Sequence, residues 1–260
     1  MVAPLGRRLL AEFVGSVLLA AVVVGSGIAA QRLSPGDVGL QLLENAAATA
    51  VGLFAVILMV GPVSGAYLNP VVTAADALFG RVSRRDSAAY VVVQVAGCCA
   101  GAVLANVMFG VGVVTVSGKH RMSGGHWLAE VVATAGLVLV IFALTRSGRG
   151  ATAPAAVGAY IGAAYFFTSS ASFANPAITI GRTLSDTFAG IAPASVPGYV
   201  SAQVVGGAVG YLLVRVLYPQ ITAAQAAKAV LPHPTDPVTA TCPGDLSKPP
   251  AAELSTGGAR

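Results

Sequence analysis

Charge is what this chain has least of. Among its 260 residues, 15 are Lys or Arg and 10 are Asp or Glu, so charged residues make up 10%, where a soluble domain carries about 25%. Cysteine is equally scarce. Cys98, Cys99 and Cys242 make no disulfide framework, and the first two lie in an apolar run where packing is the ordinary use of the residue. His120 and His126 have no cysteine or carboxylate cluster around them, which argues against a metal centre. The basic residues fall singly or in pairs between apolar runs, so the formal net charge of +5 gives no basic face for nucleic acid. Hydrophobic residues at 55% exclude a disordered chain. What is left is an all-α, polytopic membrane protein.

A hydrocarbon core of about 30 Å asks for about 20 apolar residues per crossing helix. Six runs meet that need, roughly 9–30, 39–61, 87–110, 126–145, 153–170 and 197–218. The first follows Arg7 and Arg8 like a signal sequence, but it is too long for one and carries Glu12. Two further segments are too short to cross. Residues 64–79 read SGAYLNPVVTAADALF and residues 172–191 read SFANPAITIGRTLSDTFAGI. Each opens with small and polar residues, passes through Asn-Pro, and continues for about three helical turns, or about 16 Å. Non-helical backbone at membrane depth survives only inside protein or beside a water-filled cavity. Two re-entrant half-helices therefore imply a lumen.

Placement of Lys and Arg sets the orientation. With the N-terminus inside, that side receives Arg7, Arg8, Arg81, Arg84, Arg85, Arg146 and Arg149, and the other receives Arg32, Lys119, Arg121 and Arg182. Seven against four favours both termini inside. Residues 220–260 read as a cytoplasmic tail, largely disordered, with helical potential at 221–230.

The two halves echo each other in order. AEFVGS at 11–16 matches AEVVAT at 129–134, LNPVVT at 68–73 matches ANPAIT at 174–179, and YVVVQVAG at 90–97 matches YVSAQVVG at 199–206. Three spans per half make the second half inverted, and inverted repeats put their site at the midplane where broken helices meet. Gly97-x-x-x-Gly101 and Gly206-x-x-x-Gly210 fall at matching places and allow close helix contact.

Asn caps a helix by accepting from first-turn N–H groups, and Pro suits the first helical position. Asn69-Pro70-Val71 and Asn175-Pro176-Ala177 thus each start a helix. Capping occupies the Asn oxygen and leaves the amide NH₂ to donate into the lumen. Two facing helix N-termini add positive partial charge that opposes cations. Glu12 and Glu130 are intramembrane acids at matching positions. They admit two readings, a proton relay or braces that accept from exposed loop backbone. Gln94 and Gln203 fit a similar bracing role, and Glu44 has no counterpart.

These motifs, SGAYLNPVVT, SFANPAITIGR, AEFVGS and AEVVAT, resemble those of the aquaporin and aquaglyceroporin (major intrinsic protein) family over about residues 7–218. The resemblance implies six tilted helices plus two half-helices in an inverted repeat, one pore per subunit, and a homotetramer among membrane lipids. It implies a multi-pass plasma (inner) membrane protein and passive conduction without catalysis and without a cofactor. Residues 1–219 would then be the channel domain, with repeats at about 7–110 and 124–218. It also favours the brace reading of Glu12 and Glu130. The first dyad departs from the family's Asn-Pro-Ala at Val71, which would narrow the pore or shift the half-helix contact.

In that family an outer filter takes one residue from the second span, one from the fifth and two from the loop around the second Asn-Pro. Ungapped register puts these at Thr49, Ala163, Ser172 and Ile178, with Ala48, Ala50 and Gly162 as alternatives for the first two. The family's usual arginine is replaced by Ile178, and the aromatic and histidine of water-selective filters have no match. Arg182, one helical turn on, is expected at the extracellular surface. The implied filter is wide and free of arginine, suited to uncharged solutes larger than water. An aliphatic residue at that position also resembles bacterial channels associated with arsenic resistance, thought to pass neutral As(OH)₃, which is glycerol-like in shape. The competing reading is an inverted-repeat secondary transporter coupled to an ion gradient. It would need ion-binding or titratable groups at the midplane, where the sequence places two Asn.

Overall fold

The computed structural model describes residues 3–219; the expected tail at 220–260 lies outside the described residues. Eight α-helices follow one another: α1 (Leu5–Leu33), α2 (Val38–Ser64), α3 (Pro70–Leu78), α4 (Arg84–Met108), α5 (Gly124–Arg146), α6 (Ala153–Phe167), α7 (Pro176–Gly181) and α8 (Val196–Leu217). No strand occurs among the described residues. Helices α1, α2, α4, α5 and α8 are long and apolar enough to cross a membrane. Helix α6, the fifth expected span, has 15 residues, about 22 Å of rise, preceded by a 3₁₀ turn at Gly150–Thr152. It stops at Phe167 because Thr168 turns extended and returns its hydroxyl to the Ala164 carbonyl (2.6 Å). Together these are six crossing helices and two half-helices.

Local chemistry sets the boundaries. The Leu40 N–H donates to Asp37 Oδ1 at the start of α2 (2.9 Å), the Asp86 N–H to Ser83 Oγ at α4 (3.0 Å), and the His126 N–H to Ser123 Oγ at α5 (3.2 Å). Helix α2 ends where Gly65 takes a left-handed conformation (φ 94°) and donates its N–H to the Gly61 carbonyl. Helix α7 is shorter than expected, six residues followed by a 3₁₀ turn at Arg182–Leu184. The loop at 109–123 ends it. The Ser117 and Thr115 N–H groups take the Thr183 and Leu184 carbonyls, and Asn106 Nδ2 also donates to Leu184.

The bundle packs in two matching halves, α1 on α4 and α5 on α8. Glycine makes these crossings close. A Cβ on Gly97 would come 2.6 Å from the Phe13 carbonyl on α1, and one on Gly206 would come 2.5 Å from the Val131 carbonyl on α5. The outside is apolar, with Val51, Val92, Leu104, Leu128, Leu212 and Val216 all exposed. That surface suits a hydrocarbon solvent. The two ends of the bundle carry the cations. At one end Arg8 pairs with Asp86 (2.7 Å) and Arg146 lies over Phe79. At the other Arg32 donates to the Phe109 carbonyl and Lys119 to the Phe188 carbonyl.

Close approach makes a simple expectation. In Gly101→Ala the new methyl lands on the Val17 carbonyl of α1. The cost should be about 1–3 kcal/mol, seen as a lower thermal midpoint in detergent. Gly118→Ala, where nothing lies within 4 Å, should leave the midpoint where it is.

Candidate functional site

The two half-helices start from loops that no regular structure satisfies. Ala66, Leu68, Ala171, Ser172 and Ala174 all have positive φ, between 43° and 57°. Such conformations cost about 1–3 kcal/mol each in a non-glycine residue, so something must hold them. Two buried carboxylates do. Glu12 accepts from the Tyr67 N–H (3.0 Å), the Leu68 N–H (2.8 Å), the Ser64 hydroxyl (2.6 Å) and Gln94 Nε2 (2.9 Å). Glu130 accepts from the Phe173 N–H (2.9 Å), the Ala174 N–H (2.8 Å) and Gln203 Nε2 (2.7 Å). Gln94 and Gln203 extend each brace by donating also to Thr73 and Thr179, whose hydroxyls return to the carbonyls of Asn69 and Asn175. Each chain of contacts thus runs from a long helix, through an acid and an amide, into the first turn of a half-helix. Glu44 stands apart, accepting from the Ser34 hydroxyl (2.8 Å) near the α1–α2 connection.

Asn69 and Asn175 cap α3 and α7. The Val71 N–H donates to Asn69 Oδ1 (2.9 Å), and the Ala177 and Ile178 N–H groups donate to Asn175 Oδ1 (2.9 and 3.3 Å). The amides then cross. Asn69 Nδ2 donates to the Ala174 carbonyl and Asn175 Nδ2 to the Leu68 carbonyl, both at 2.7 Å. One amide hydrogen of each Asn is therefore committed to the opposite loop, and one is left for the lumen. This modifies the expectation of a wholly free NH₂.

A cavity of about 620 Å³ runs past both Asn side chains, from Asp76 and Arg81 at one end to Phe173 and Arg182 at the other. Apolar walls from Leu19, Val23, Leu53 and Ile161 alternate with the polar groups. Val71 does not line it; its side chain fills the space that Gly207 of α8 leaves open. The departure from Asn-Pro-Ala is taken up between helices rather than in the lumen. Pro70, Pro176 and Ala177 stand behind the wall in the same way.

Of the four positions expected at the filter, Thr49, Ser172 and Ile178 border the cavity. Ala163 does not, and the expectation is corrected: it is exposed on the outside of α6. Ile161 and Tyr165, one turn apart, line the cavity instead. Position 163 lies about 200° around the helix from 161. Gly162 packs against Ala50 of α2 and is no substitute. Tyr165 OH is hydrogen-bonded to Thr49 Oγ1 (3.1 Å), joining α6 to α2 on the cavity wall.

Arg182 is the second correction. It is 3% exposed and lines the cavity, rather than facing the surface. Its guanidinium lies 3.5 Å from the centre of the Phe173 ring, and Nε donates to the Ala189 carbonyl. The wall at that end therefore holds an arginine and two aromatic rings, Phe173 and Tyr165. The cavity wall thus includes an arginine beside Ile178. Helix periodicity explains the change: Arg182 follows Ile178 by one turn and so shares its face. Beyond it, burial and the neighbouring Arg121 and Arg182 push the Lys119 ammonium below its usual range.

Glu130→Gln keeps the shape of the brace but offers one acceptor oxygen where two now work. Each charge-assisted bond lost should cost about 1.5–3 kcal/mol. The variant should melt earlier in detergent and lose solute flux together. An unchanged midpoint would mean that something else holds residues 171–174.

Comparison with known proteins agrees with this geometry. The model of the family described as "Major intrinsic protein" matches residues 2–172. Aquaglyceroporin AqpS of Rhizobium meliloti (strain 1021) is 47% identical over 211 residues, covering 81% of this chain and 90% of AqpS. Aquaporin AqpM of Methanothermobacter marburgensis is 30% identical over 246 residues, covering 84% of this chain and 98% of AqpM. The X-ray structure of the aquaglyceroporin from Plasmodium falciparum superposes with a TM-score of 0.64 at 19% identity, over 83% of this chain and 98% of that one, which is a likeness of fold. With a family match through the first dyad and close identity over most of its length, the chain belongs to the major intrinsic protein family.

Proposed function

We propose that this protein is a passive membrane channel for water and small uncharged solutes, with polyols such as glycerol, and neutral As(OH)₃, as its larger passengers. The observation that carries this reading is the cavity that passes between two Asn-capped half-helices. Asn69 and Asn175 each keep one amide hydrogen for a passing oxygen. Facing them are Leu19, Val23, Leu53 and Ile178. A polyol has a hydroxyl edge and a C–H edge, and this wall offers a partner to each. At about 30 Å³ per water, the cavity holds a file of small molecules. The half-helix N-termini point their positive ends at the midplane and oppose cations there. Glu12 and Glu130 are engaged with backbone N–H groups, which supports braces over a proton relay.

Thr49, Ser172, Ile178, Tyr165, Phe173 and Arg182 are the residues to which we assign solute selection. The relatives named aquaglyceroporin support the polyol reading. The exposed apolar belt supports contact with lipid, and the family supports a homotetramer in the plasma (inner) membrane. The Arg8, Arg81 and Arg146 end is assigned to the cytoplasm, with the N-terminus inside.

The test is stopped-flow light scattering on proteoliposomes with a panel of solutes. Passive flux should show low activation energy and no saturation at modest concentration. A requirement for a proton or sodium gradient would favour a coupled transporter. Ile178→Arg sharpens it. A second guanidinium one turn from Arg182 should crowd the lumen and bind water, lowering the ratio of glycerol to water permeability about tenfold or more. An unchanged ratio would remove Ile178 from the selecting wall.

A further inference from the structure

At one repeat-equivalent position the two half-helices carry opposite charges, and both residues there line the cavity. Asp76 is the seventh residue after Asn69, and Arg182 is the seventh after Asn175. Inverted repetition therefore sets them at opposite ends of one lumen, and both border it. Both are nearly fully buried, at 2% and 3% exposure. One is an acid and the other a base.

The surroundings of Asp76 make it unusual. Among the described residues, Asp76 is the only acidic residue that lines the cavity, and the basic residues on its wall are Arg81 and Arg182. Tyr67 OH donates to Asp76 Oδ2 (2.6 Å), which fixes the carboxylate and uses the donor of that ring. Arg81 Nε stands 3.9 Å from Oδ1, with its side chain 45% exposed toward the mouth. Asp76 also sits in the last turn of α3, the negative end of the half-helix, where an acid is disfavoured. Arg182, just past the end of α7, is in the position that a helix dipole favours. A carboxylate kept in a disfavoured, buried place on a solute path points to a use.

The other fixed charges that an entering anion would meet are attractive. Arg81 stands at the mouth, two helix N-termini at the midplane, and Arg182 at the far end. These exclude cations, and without an acid they would form a path for anions. We infer that Asp76 is a specificity-determining residue that bars small anions, so that Asp76 and Arg182, at equivalent places in the two repeats, together confine the channel to uncharged solutes. The inference rests on the channel reading above and adds the residue responsible for one half of its charge exclusion. Tyr67 acts as a positioning residue, holding the carboxylate against the wall.

The experiment uses the full chain in proteoliposomes. Chloride entry is followed by quenching of a trapped halide-sensitive dye, with valinomycin and potassium carrying the compensating charge. Glycerol entry is measured in the same vesicles, and the readout is the chloride-to-glycerol ratio. Wild-type protein should pass glycerol and no chloride above empty vesicles. Asp76→Asn should bring chloride entry to at least tenfold the rate in empty vesicles, and so raise the ratio clearly above that of wild type. Asp76→Asn with Arg81→Gln removes the attraction at the mouth as well, and should bring the ratio back at least partway. A ratio in Asp76→Asn equal to wild type would overturn the inference, and so would chloride passage by wild type. Asp76→Ser keeps the measurement available where Asn at this position does not fold. Failure of both neutral forms to fold would also overturn it, by making the carboxylate a structural requirement of α3. Absence of glycerol flux in wild type is a separate outcome that strikes the channel reading itself.

Discussion

A buried carboxylate that collects two consecutive backbone N–H groups is the contact on which this structure depends. A chain that enters a membrane halfway and turns back leaves peptide groups with neither helix nor water to bind. Here each such turn is answered by one acid from a neighbouring long helix: Glu12 of α1 for the Tyr67 and Leu68 N–H groups, Glu130 of α5 for those of Phe173 and Ala174. The left-handed residues beside them, Leu68 and Ala174, persist because those bonds over-determine the loop. The acids serve twice, since Gln94 and Gln203 tie the same oxygens to the first turn of α3 and α7.

From that bracing the lumen follows. Once the loops are held, their carbonyls at Leu68 and Ala174 are positioned to receive the opposite Asn amide. The crossed pair locks the two half-helices tip to tip and leaves one donor on each side for solute. Close glycine crossings between α1 and α4, and between α5 and α8, bring the acids near enough to reach. Small residues, acid braces and capped half-helices are thus one device built twice.

The two copies are not equal, and the inequalities concern what passes. Val71 fills the gap over Gly207, so one substitution in a dyad is absorbed by a missing side chain on α8. Ile178 occupies the expected place of an arginine, and Arg182 comes to the same face one turn later, stacked on Phe173. Asp76 and Arg182 put residues of opposite charge at matching places in the two repeats, where a perfect repeat would put equal ones.

Much of this was legible in the residues alone. Apolar run lengths determined the number of crossings, and Asn-Pro determined both half-helix starts, because a cap and a first-turn proline are local chemistry. The matching of Glu12 with Glu130 and of Gln94 with Gln203 was legible from repetition, while their bracing role rested on the family resemblance and is seen only in the hydrogen bonds they accept and donate. The filter was not. Counting without gaps from Asn175 put Ala163 at the wall, but α6 ends at Phe167 and its cavity face passes through Ile161 and Tyr165. The outward placing of Arg182 failed for a similar reason: α7 ends early against the loop at 109–123, and the 3₁₀ turn that follows it carries Arg182 inward onto Phe173 and Ala189. What the sequence determined by itself was whatever depends on neighbours a few residues apart: spans, caps and the repeat. Only the tertiary structure decided which side chains share the lumen, because that depends on helix rotation and loop length. A difference of two residues on one helix turns a side chain from lumen to lipid.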